Sequence, residues 1–342
     1  MKKKIVIGLS GGIDSAISAY LLKEKGYEVV GITMIHIDSM DINRVEDIAK
    51  VLGIQLILYD IREIFKREII KPFIKEYLSG RTPNPCVMCN PRIKFGILKK
   101  KALEYGDIFA TGHYADIVDI KGRLFIKKGK DKKKDQSYFL YRLTQKDLRE
   151  TIFPLGKYTK EEVRKMQDKV LKLPPKKESQ DICFIKDSYK ELIRAYKKDI
   201  KEGEFITKDG KVLGIHKGIP FYTIGQRKGL GVSSGQRLYV REILPEENKI
   251  VLSKREELIQ KGFIVGDLTS PSYDTLPENN IYKVKVRYNT PEKEAKIEYI
   301  SPNKIKVALL KEGEYAITPG QSAVFYKDDH LIGGGIIEGI VS

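Results

Sequence analysis

The sequence predicts an α/β protein with a mainly parallel sheet at its start and a small antiparallel β-barrel at its end. Three observations predict it. Short apolar runs alternate with helical stretches over roughly the first 115 residues, the βαβα rhythm of a sheet covered on both faces. From about residue 203, glycines and β-branched residues dominate. In YKVKVRY, Tyr282, Val284, Val286 and Tyr288 share one face and Lys283, Lys285 and Arg287 the other, as a half-buried strand requires.

The elements follow in order. KIVIGL (4–9) reads as a buried strand and DSAISAYLLKEKG (14–26) as a helix stopped at Gly26. EVVGITMI (28–35) is a strand, INRVEDIAKVLG (42–53) a helix that again ends on glycine, and QLILYD (55–60) a third strand. IREIFKREIIKPFIKEYLSG (61–80) is a long amphipathic helix with a bend at Pro72. RIKFGILKKKALEYG (92–106) is helical, and DIFATGHYA (107–115) is a fourth strand with its loop. ADIVDIKGRLFIKKG forms a hairpin, KKGKDKKKDQ a basic loop, and KYTKEEVRKMQDKV (157–170) a helix. LPPKKESQDICF (173–184) is proline-marked and exposed. FITKDGKVLGIH, FYTIGQRKGLGV, LYVREILPEENKIVLS, IYKVKVRYN, EAKIEYI, KIKVALL and SAVFYKDDHLIGGGII then read as short antiparallel strands. Ligands of a parallel sheet sit at the carboxyl ends of its strands.

Composition narrows the function. The 342 residues are 41% hydrophobic and 32% charged, which is globular and suits two or three domains. No apolar run reaches the roughly 18 residues of a membrane span. The start, MKKKIVIGLSGGIDS, meets Gly, Ser and Asp too early for a signal-peptide core, so a cytoplasmic protein is expected. A net charge of +17 favours a polyanionic partner such as nucleic acid, with a lysine-rich or heat-adapted surface as the equal alternative. Three cysteines are too few for a disulfide scaffold, and a C-x-x-C in a reducing compartment points to metal or thiol chemistry.

GLSGGIDS, the stretch Gly8, Leu9, Ser10, Gly11, Gly12, Ile13, Asp14 and Ser15, lies between a strand and a helix. Its glycines let backbone approach a phosphate, and the N–H groups opening the next helix face the anion. Ser10 and Ser15 can donate hydroxyl hydrogen bonds, and Asp14 can hold Mg²⁺ or position the loop. The Walker lysine and the G-x-G-x-x-G spacing are both missing, so neither a P-loop NTPase nor a dinucleotide reader fits.

The loop resembles the SGGxDS loop of the PP-loop ATP pyrophosphatases, the adenine nucleotide alpha hydrolase-like group. TPNPC-x-x-CNPRIKFG, ATGHYA, KDQSYFLY, SQDICFI and GQRKGLG follow in order, and together they resemble the tRNA-specific 2-thiouridylases, the MnmA family. The resemblance runs over nearly the whole chain. It implies a PP-loop catalytic domain over 1–147, joined by the 174–200 segment carrying Cys183, then a small central tRNA-contacting domain over 148–262 and a C-terminal β-barrel over 263–342. It implies ATP and Mg²⁺ as cofactors, and a tRNA wobble uridine as substrate. The C2 oxygen of uridine 34 would be adenylated and then replaced by sulfur.

The same resemblance implies residue roles. Gly8 to Ser15 would bind ATP, with Met34 near the adenine and Gly112 also lining the site. Asn84, Pro85 and Cys86 would lie beside the target base, with His113 next to the nucleotide. Lys134, Asp135 and Gln136 would form an anticodon-side loop, and Arg287, Tyr288 and Gln321 would contact tRNA from the barrel. Cys89 and Cys183 would be the catalytic pair, their pKa lowered by a basic site and helix N-termini. Lysines 127 to 134 would attract backbone phosphates, unless the run is only a solvated loop. GQRKGLG (225–231) would be a tRNA backbone contact, or only a hairpin turn.

Cys86 departs from the pattern, because many family members carry aspartate there. Three readings stay open. Cys86, Cys89 and Cys183 hold a [4Fe–4S] cluster whose fourth iron carries hydrosulfide. Or a persulfide relay, fed by a donor protein such as a cysteine desulfurase, uses Cys89 and Cys183 while Cys86 is a bystander or resolving thiol. Or the three thiolates bind structural zinc with a fourth ligand. Two rivals of other kinds are a PP-loop ligase for a small molecule, which needs no thiols, and a metal-bearing tRNA-binding protein without catalysis.

Overall fold

The computed structural model of the chain describes residues 3–171, 182–185, 187–233 and 235–341. Its first unit is built on a five-stranded parallel sheet. β1 (Lys4–Gly8) is central, β2 (Glu28–Ile35) and β3 (Gln55–Asp60) lie on one side, and β4 (Ile108–Ala110) on the other. α1 (Ile13–Glu24) and α2 (Ile42–Leu52) link the first three strands as right-handed crossovers demand. The sheet therefore reverses its winding between β1 and β4. The crevice at that switch point is where a doubly wound sheet takes its ligand, and it is flanked by the loops after β1 and β4.

Two long helices depart from regular geometry, each for a proline. α3 runs over 62–78, and in place of a bend at Pro72 it widens into a π-helical turn at Lys66–Ile70. α4 runs over 85–102, starting earlier than the expected 92, and is π-helical from Asn90 to Leu98. Pro91 has no N–H to give the preceding turn, so the helix loosens around it. A Cβ on Gly96 would come 2.8 Å from the Pro91 carbonyl oxygen, so the widened turn needs glycine there. α4 rests on the sheet through Phe95, whose ring meets Phe109 and Phe153 edge-on with centroids 6.0 Å away. Each such aromatic pair contributes about 0.5–1.5 kcal/mol beyond its area.

The parallel sheet extends past residue 147, the boundary expected from the sequence. A short strand, β7 (Thr151–Ile152), pairs with β4, and helix α5 (Lys160–Val170) packs on α1. The intervening hairpin, β5 (Ala115–Ile120) and β6 (Arg123–Lys128), forms as expected but leaves this sheet. It joins the C-terminal barrel, where His330 pairs with Lys127.

The middle unit carries a four-stranded mixed sheet of Gly203–Ile206, Val212–His216, Tyr239–Leu244 and Lys249–Ser253. FYTIGQRKGLGV is not a strand: Ile219–Phe221 makes a 3₁₀ turn, and Gly225, Gly229 and Gly231 all have positive φ, which breaks any ladder. The last unit is an antiparallel barrel of six strands. Gly262–Thr269 pairs with both Lys304–Leu309 and His330–Ile340, which closes the ring. Tyr282, Val284 and Val286 face its core, as the alternation requires.

Candidate active site

The glycine loop is held rigidly before any ligand arrives. Leu9 N–H donates to the Ile32 carbonyl at 2.8 Å, and Thr33 Oγ1 donates to the Leu9 carbonyl at 2.9 Å, which pins the loop to β2. The Ser10 and Ser15 hydroxyls lie 3.3 Å apart, and Ser15 Oγ accepts from Ser10 N–H and donates to the Gly12 carbonyl. Gly11 has φ +76°, a backbone state that favours glycine. Gly12 caps α1 with no side-chain partner, so the first N–H groups of the helix face outward from the loop. Arg44, which nothing in the sequence singled out, donates from Nε to the Gly11 carbonyl at 2.9 Å. Asp14 accepts from Lys160 Nζ on both oxygens at 2.8 Å and from the Tyr114 hydroxyl at 2.7 Å, which fixes its carboxylate beside the loop.

The loop after β4 closes the crevice. A Cβ on Gly112 would stand 2.9 Å from the Asp14 carbonyl carbon and from the Ser15 nitrogen, so Gly112 lies directly against the start of α1. Met34, partly buried near the end of β2, directly follows Thr33, the residue that binds the Leu9 carbonyl. His113 is buried, its ring nitrogen 2.7 Å from Thr111 Oγ1 and its ring packed on Phe95 and Phe153. Burial, with the Lys94 charge, lowers its pKa well below the usual imidazole value, so it is neutral and supports the floor.

The thiols lie at the start of α4. Asn84 caps the helix and accepts from Cys86 N–H at 3.2 Å; Pro85 follows at the first helical position, where its missing N–H costs nothing. Cys86 is exposed and Cys89 buried, one turn apart. Asn90 Nδ2 donates to the carbonyls of Cys86 and Phe139, both at 3.1 Å, which ties this turn to the KDQSYFLY segment. Cys183 is exposed, and its neighbour Phe184 packs edge-on against Phe65 and Phe73 of α3. Phe184 and Met34 both pack against the apolar cluster of Ile61, Phe65, Ile69, Cys89 and Ile93. The part of LPPKKES expected to carry Cys183 inward lies outside the described residues.

Burial pushes all three thiols up, contrary to the expected lowering. Cys89 rises to about 12, with Cys183 and Cys86 adding to the effect of burial. Cys183 rises to about 11, through burial and then the nearby Cys86, and Cys86 rises through burial. Cys86 and Cys183 each expose part of their surface, yet the protein around both sulfurs displaces enough water to disfavour a thiolate. One cation opposes this at all three: Lys94, on the π-helical turn of α4. Its charge also lowers His36 and His113, after the larger effect of burial. Sequence reasoning did not single out Lys94, although it follows Cys86 by eight positions, on the i, i+4, i+8 row of a helix face, and that spacing could have found it.

Three cysteines have the donor chemistry of an iron–sulfur cluster, and the thiols stand within electrostatic range of one another. They do not converge: among the described residues no three His, Cys, Asp or Glu side chains gather closely enough to hold a metal ion. The donor chemistry suits a [4Fe–4S] cluster or a zinc ion, and either would need the three sulfurs drawn closer than they stand here.

The barrel reaches the same place. Thr82 N–H donates to the Pro319 carbonyl at 3.0 Å, and Gln321 Nε2 donates to the Thr82 carbonyl at 2.8 Å. The Tyr288 ring packs at a tilt on Phe139, centroids 4.5 Å apart, and Arg287 donates to the Ala316 carbonyl and the Thr318 hydroxyl. Gln136 pairs both ways with the backbone of Tyr114. Asp135 is buried and accepts from Gly129 N–H and from Ser137, shaping the loop from within. Lys134 closes a turn through its N–H to the Asp131 carbonyl and is partly exposed. Lys127, Lys128, Lys130, Lys132 and Lys157 line a cleft of about 350 Å³ on this side. GQRKGLG contacts the barrel, where the Tyr315 hydroxyl donates to the Gly225 carbonyl at 3.2 Å.

Comparison with known proteins covers the same span. Residues 3–187 match the tRNA methyl transferase HUP domain, 190–254 the tRNA methyl transferase PRC-barrel domain and 261–337 the aminomethyltransferase beta-barrel domain. The chain is 45% identical to the tRNA-specific 2-thiouridylase MnmA 1 of Clostridium tetani, across 100% of this chain and 98% of that one. The chain belongs to the tRNA-specific 2-thiouridylase family. Other members include the MnmA of Carboxydothermus hydrogenoformans, 45% identical across 98% of both chains. The MnmA 1 of Caldanaerobacter subterraneus subsp. tengcongensis is 47% identical across 99% of this chain and 98% of its own. Among 2-thiouridylases named in this way, the domain descriptions still speak of methyl transfer.

Proposed function

We propose that the chain is a cytoplasmic tRNA uridine 2-sulfurtransferase that uses ATP, with Mg²⁺ entering as the counter-ion of the nucleotide phosphates. The observation that carries the reading is a shared apolar wall. Met34, beside the glycine loop, and Phe184, beside Cys183, pack against one cluster that contains Cys89. Nucleotide, base and sulfur would therefore meet at one end of the parallel sheet.

The chemistry has two steps. The C2 oxygen of the uridine attacks the α-phosphorus of ATP; an O–P bond forms, pyrophosphate leaves, and the base loses its N3 proton. C2 is now electrophilic with AMP as leaving group. The backbone N–H groups of the glycine loop, already fixed, bind the phosphates without reorganising. In the second step Cys183, exposed at the surface, carries a persulfide received from a donor protein. The Cys89 thiolate attacks the inner sulfur of that persulfide, a Cys89–Cys183 disulfide forms, and hydrosulfide leaves. Hydrosulfide adds to C2 and AMP departs, leaving the C2–sulfur bond. A thiol reductant then supplies two electrons to the disulfide. Lys94 lowers the cost of each sulfur anion in this sequence. Cys86 stands beside the base as a neutral thiol. Asn84, Pro85, Gln321, Arg287 and Tyr288 would shape the pocket for an extruded base, because the C2 edge is hidden in a stacked anticodon. The lysine cleft would hold backbone phosphate.

The test uses the full chain with ATP and a tRNA bearing a wobble uridine, reading AMP, pyrophosphate and 2-thiouridine. AMP release that requires tRNA and yields 2-thiouridine upholds the reading. Tight tRNA binding without AMP release would establish a non-catalytic binder instead. Iron and sulfide analysis of anaerobically purified protein separates the sulfur routes, and thiolation by sulfide alone in an iron-loaded enzyme would replace the relay.

A further inference from the structure

Lys160 is out of place for a surface helix. It opens α5, where the helix dipole disfavours a cation, and only 7% of its side chain is exposed. Its Nζ reaches across 146 positions of sequence to both oxygens of Asp14, the second residue of α1. Tyr114 adds its hydroxyl to Asp14 Oδ1 at 2.7 Å, and Lys160 Nζ lies 5.9 Å from the centre of the Tyr114 ring. Donors from two separate elements thus fix the carboxylate that follows the glycine loop.

The other ends of both donors are anchored in one place. Lys160 N–H donates to Asp131 Oδ2 at 2.9 Å, and Asp131 Oδ1 accepts from Lys133 N–H. Glu162 of the same helix turn accepts from Lys130 Nζ at 2.8 Å. The Tyr114 backbone is paired in both directions with Gln136. The lysine loop of residues 129–136 is therefore connected to the glycine loop twice, through Lys160 and through Tyr114. An element that touches two ligand sites by fixed hydrogen bonds is suited to couple them.

We propose that Lys160 is a positioning residue of the adenylation step, which with Tyr114 transmits the seating of RNA on loop 129–136 to Asp14, so that tRNA and ATP bind with positive coupling. The proposal rests on the reading of these two loops as tRNA and ATP sites. It concerns neither the thiols nor the choice of sulfur route.

The experiment measures binding of a non-hydrolysable ATP analogue with an α,β-methylene bridge, with and without tRNA, to the full chain and to Lys160→Met, Lys160→Arg and Tyr114→Phe, alongside melting temperatures. Wild type is expected to bind the analogue about tenfold more tightly when tRNA is present, within the usual range of coupling between sites. Lys160→Met loses that gain, Lys160→Arg keeps part of it, and Tyr114→Phe, which removes one hydroxyl, reduces it about threefold. A Lys160→Met protein that melts earlier yet keeps the full tRNA effect has lost only stability, and overturns the proposal. Should Lys160→Met fail to fold, an undiminished effect in Tyr114→Phe overturns it equally. Wild type that binds both ligands without coupling overturns this proposal alone, whereas wild type that binds no nucleotide overturns the reading of the glycine loop.

Discussion

The glycine loop and the thiol site lie on the same end of one sheet, yet they are built to different degrees. Around the loop, Ser15, Thr33 and Arg44 fix the backbone through direct hydrogen bonds, and Tyr114 and Lys160 fix the Asp14 carboxylate. Around the sulfurs, burial leaves each thiol protonated, and one lysine is the common cation. On the proposed reading, a glycine loop already fixed for the nucleotide stands against thiols that burial disfavours as anions. A free thiolate next to an activated base would be attacked by oxidants or would add to the base itself, so a high pKa protects both partners.

The largest test of this contrast removes the sulfurs. Cys89→Ser and Cys183→Ser should each lower 2-thiouridine formation by at least about 10³-fold while tRNA-dependent AMP release persists, because a nucleophile is lost and the loop is untouched. Loss of AMP release in both would show that the two regions are one cooperative unit. Gly112→Ala attacks the other side. Its new Cβ would meet backbone of Asp14 and Ser15 at 2.9 Å, so AMP release should fall about 10²-fold through misplaced phosphate contacts. Its cysteine alkylation should match wild type.

A smaller effect is expected at Lys94. Lys94→Met removes the charge that lowers all three thiols, so alkylation of exposed Cys183 at fixed pH should slow about three- to tenfold. The sign of the pH dependence follows from the same burial. An ordinary thiol reaches full reactivity soon above pH 9, but Cys183, raised to about 11, should still gain nearly tenfold in alkylation rate per pH unit from 8 to 10. A plateau by pH 9 would mean that the sulfur side is as ready as the nucleotide side. The smallest change is electrostatic: Lys127→Ala and Lys157→Ala should each reduce the salt dependence of tRNA binding by less than about one phosphate contact, leaving AMP release at saturating tRNA unaltered.

Much of the nucleotide side was legible in the sequence, because strand, glycine loop and helix are contiguous and their chemistry is local. The βαβα rhythm gave β1, β2 and β3 nearly to the residue. The strand Thr151–Ile152 was missed, being two residues long and defined only by its partner β4. FYTIGQRKGLGV misled because its aromatic and β-branched start reads as a strand while positive φ at three glycines forbids one. His113 shows the limit of a motif: its enclosure between Phe95 and Phe153 depends on elements far apart in sequence. Lys94 was overlooked rather than hidden, since Cys86, Asn90 and Lys94 fall on one i, i+4, i+8 row of a helix. The Lys160–Asp14 contact was unreadable for a simpler reason, that no local rule joins residues 146 positions apart.

The hairpin of β5 and β6 reaches out of the first unit to extend the barrel sheet at His330, roughly two hundred residues later in the chain. A ribosome adding residues one by one must therefore expose that hairpin edge for many seconds before its strand partner is made. Assembly of such a distant pairing is slow, and an open edge invites association with other nascent chains. Biogenesis of this enzyme should accordingly depend on chaperones during translation far more than the stability of the finished molecule would indicate.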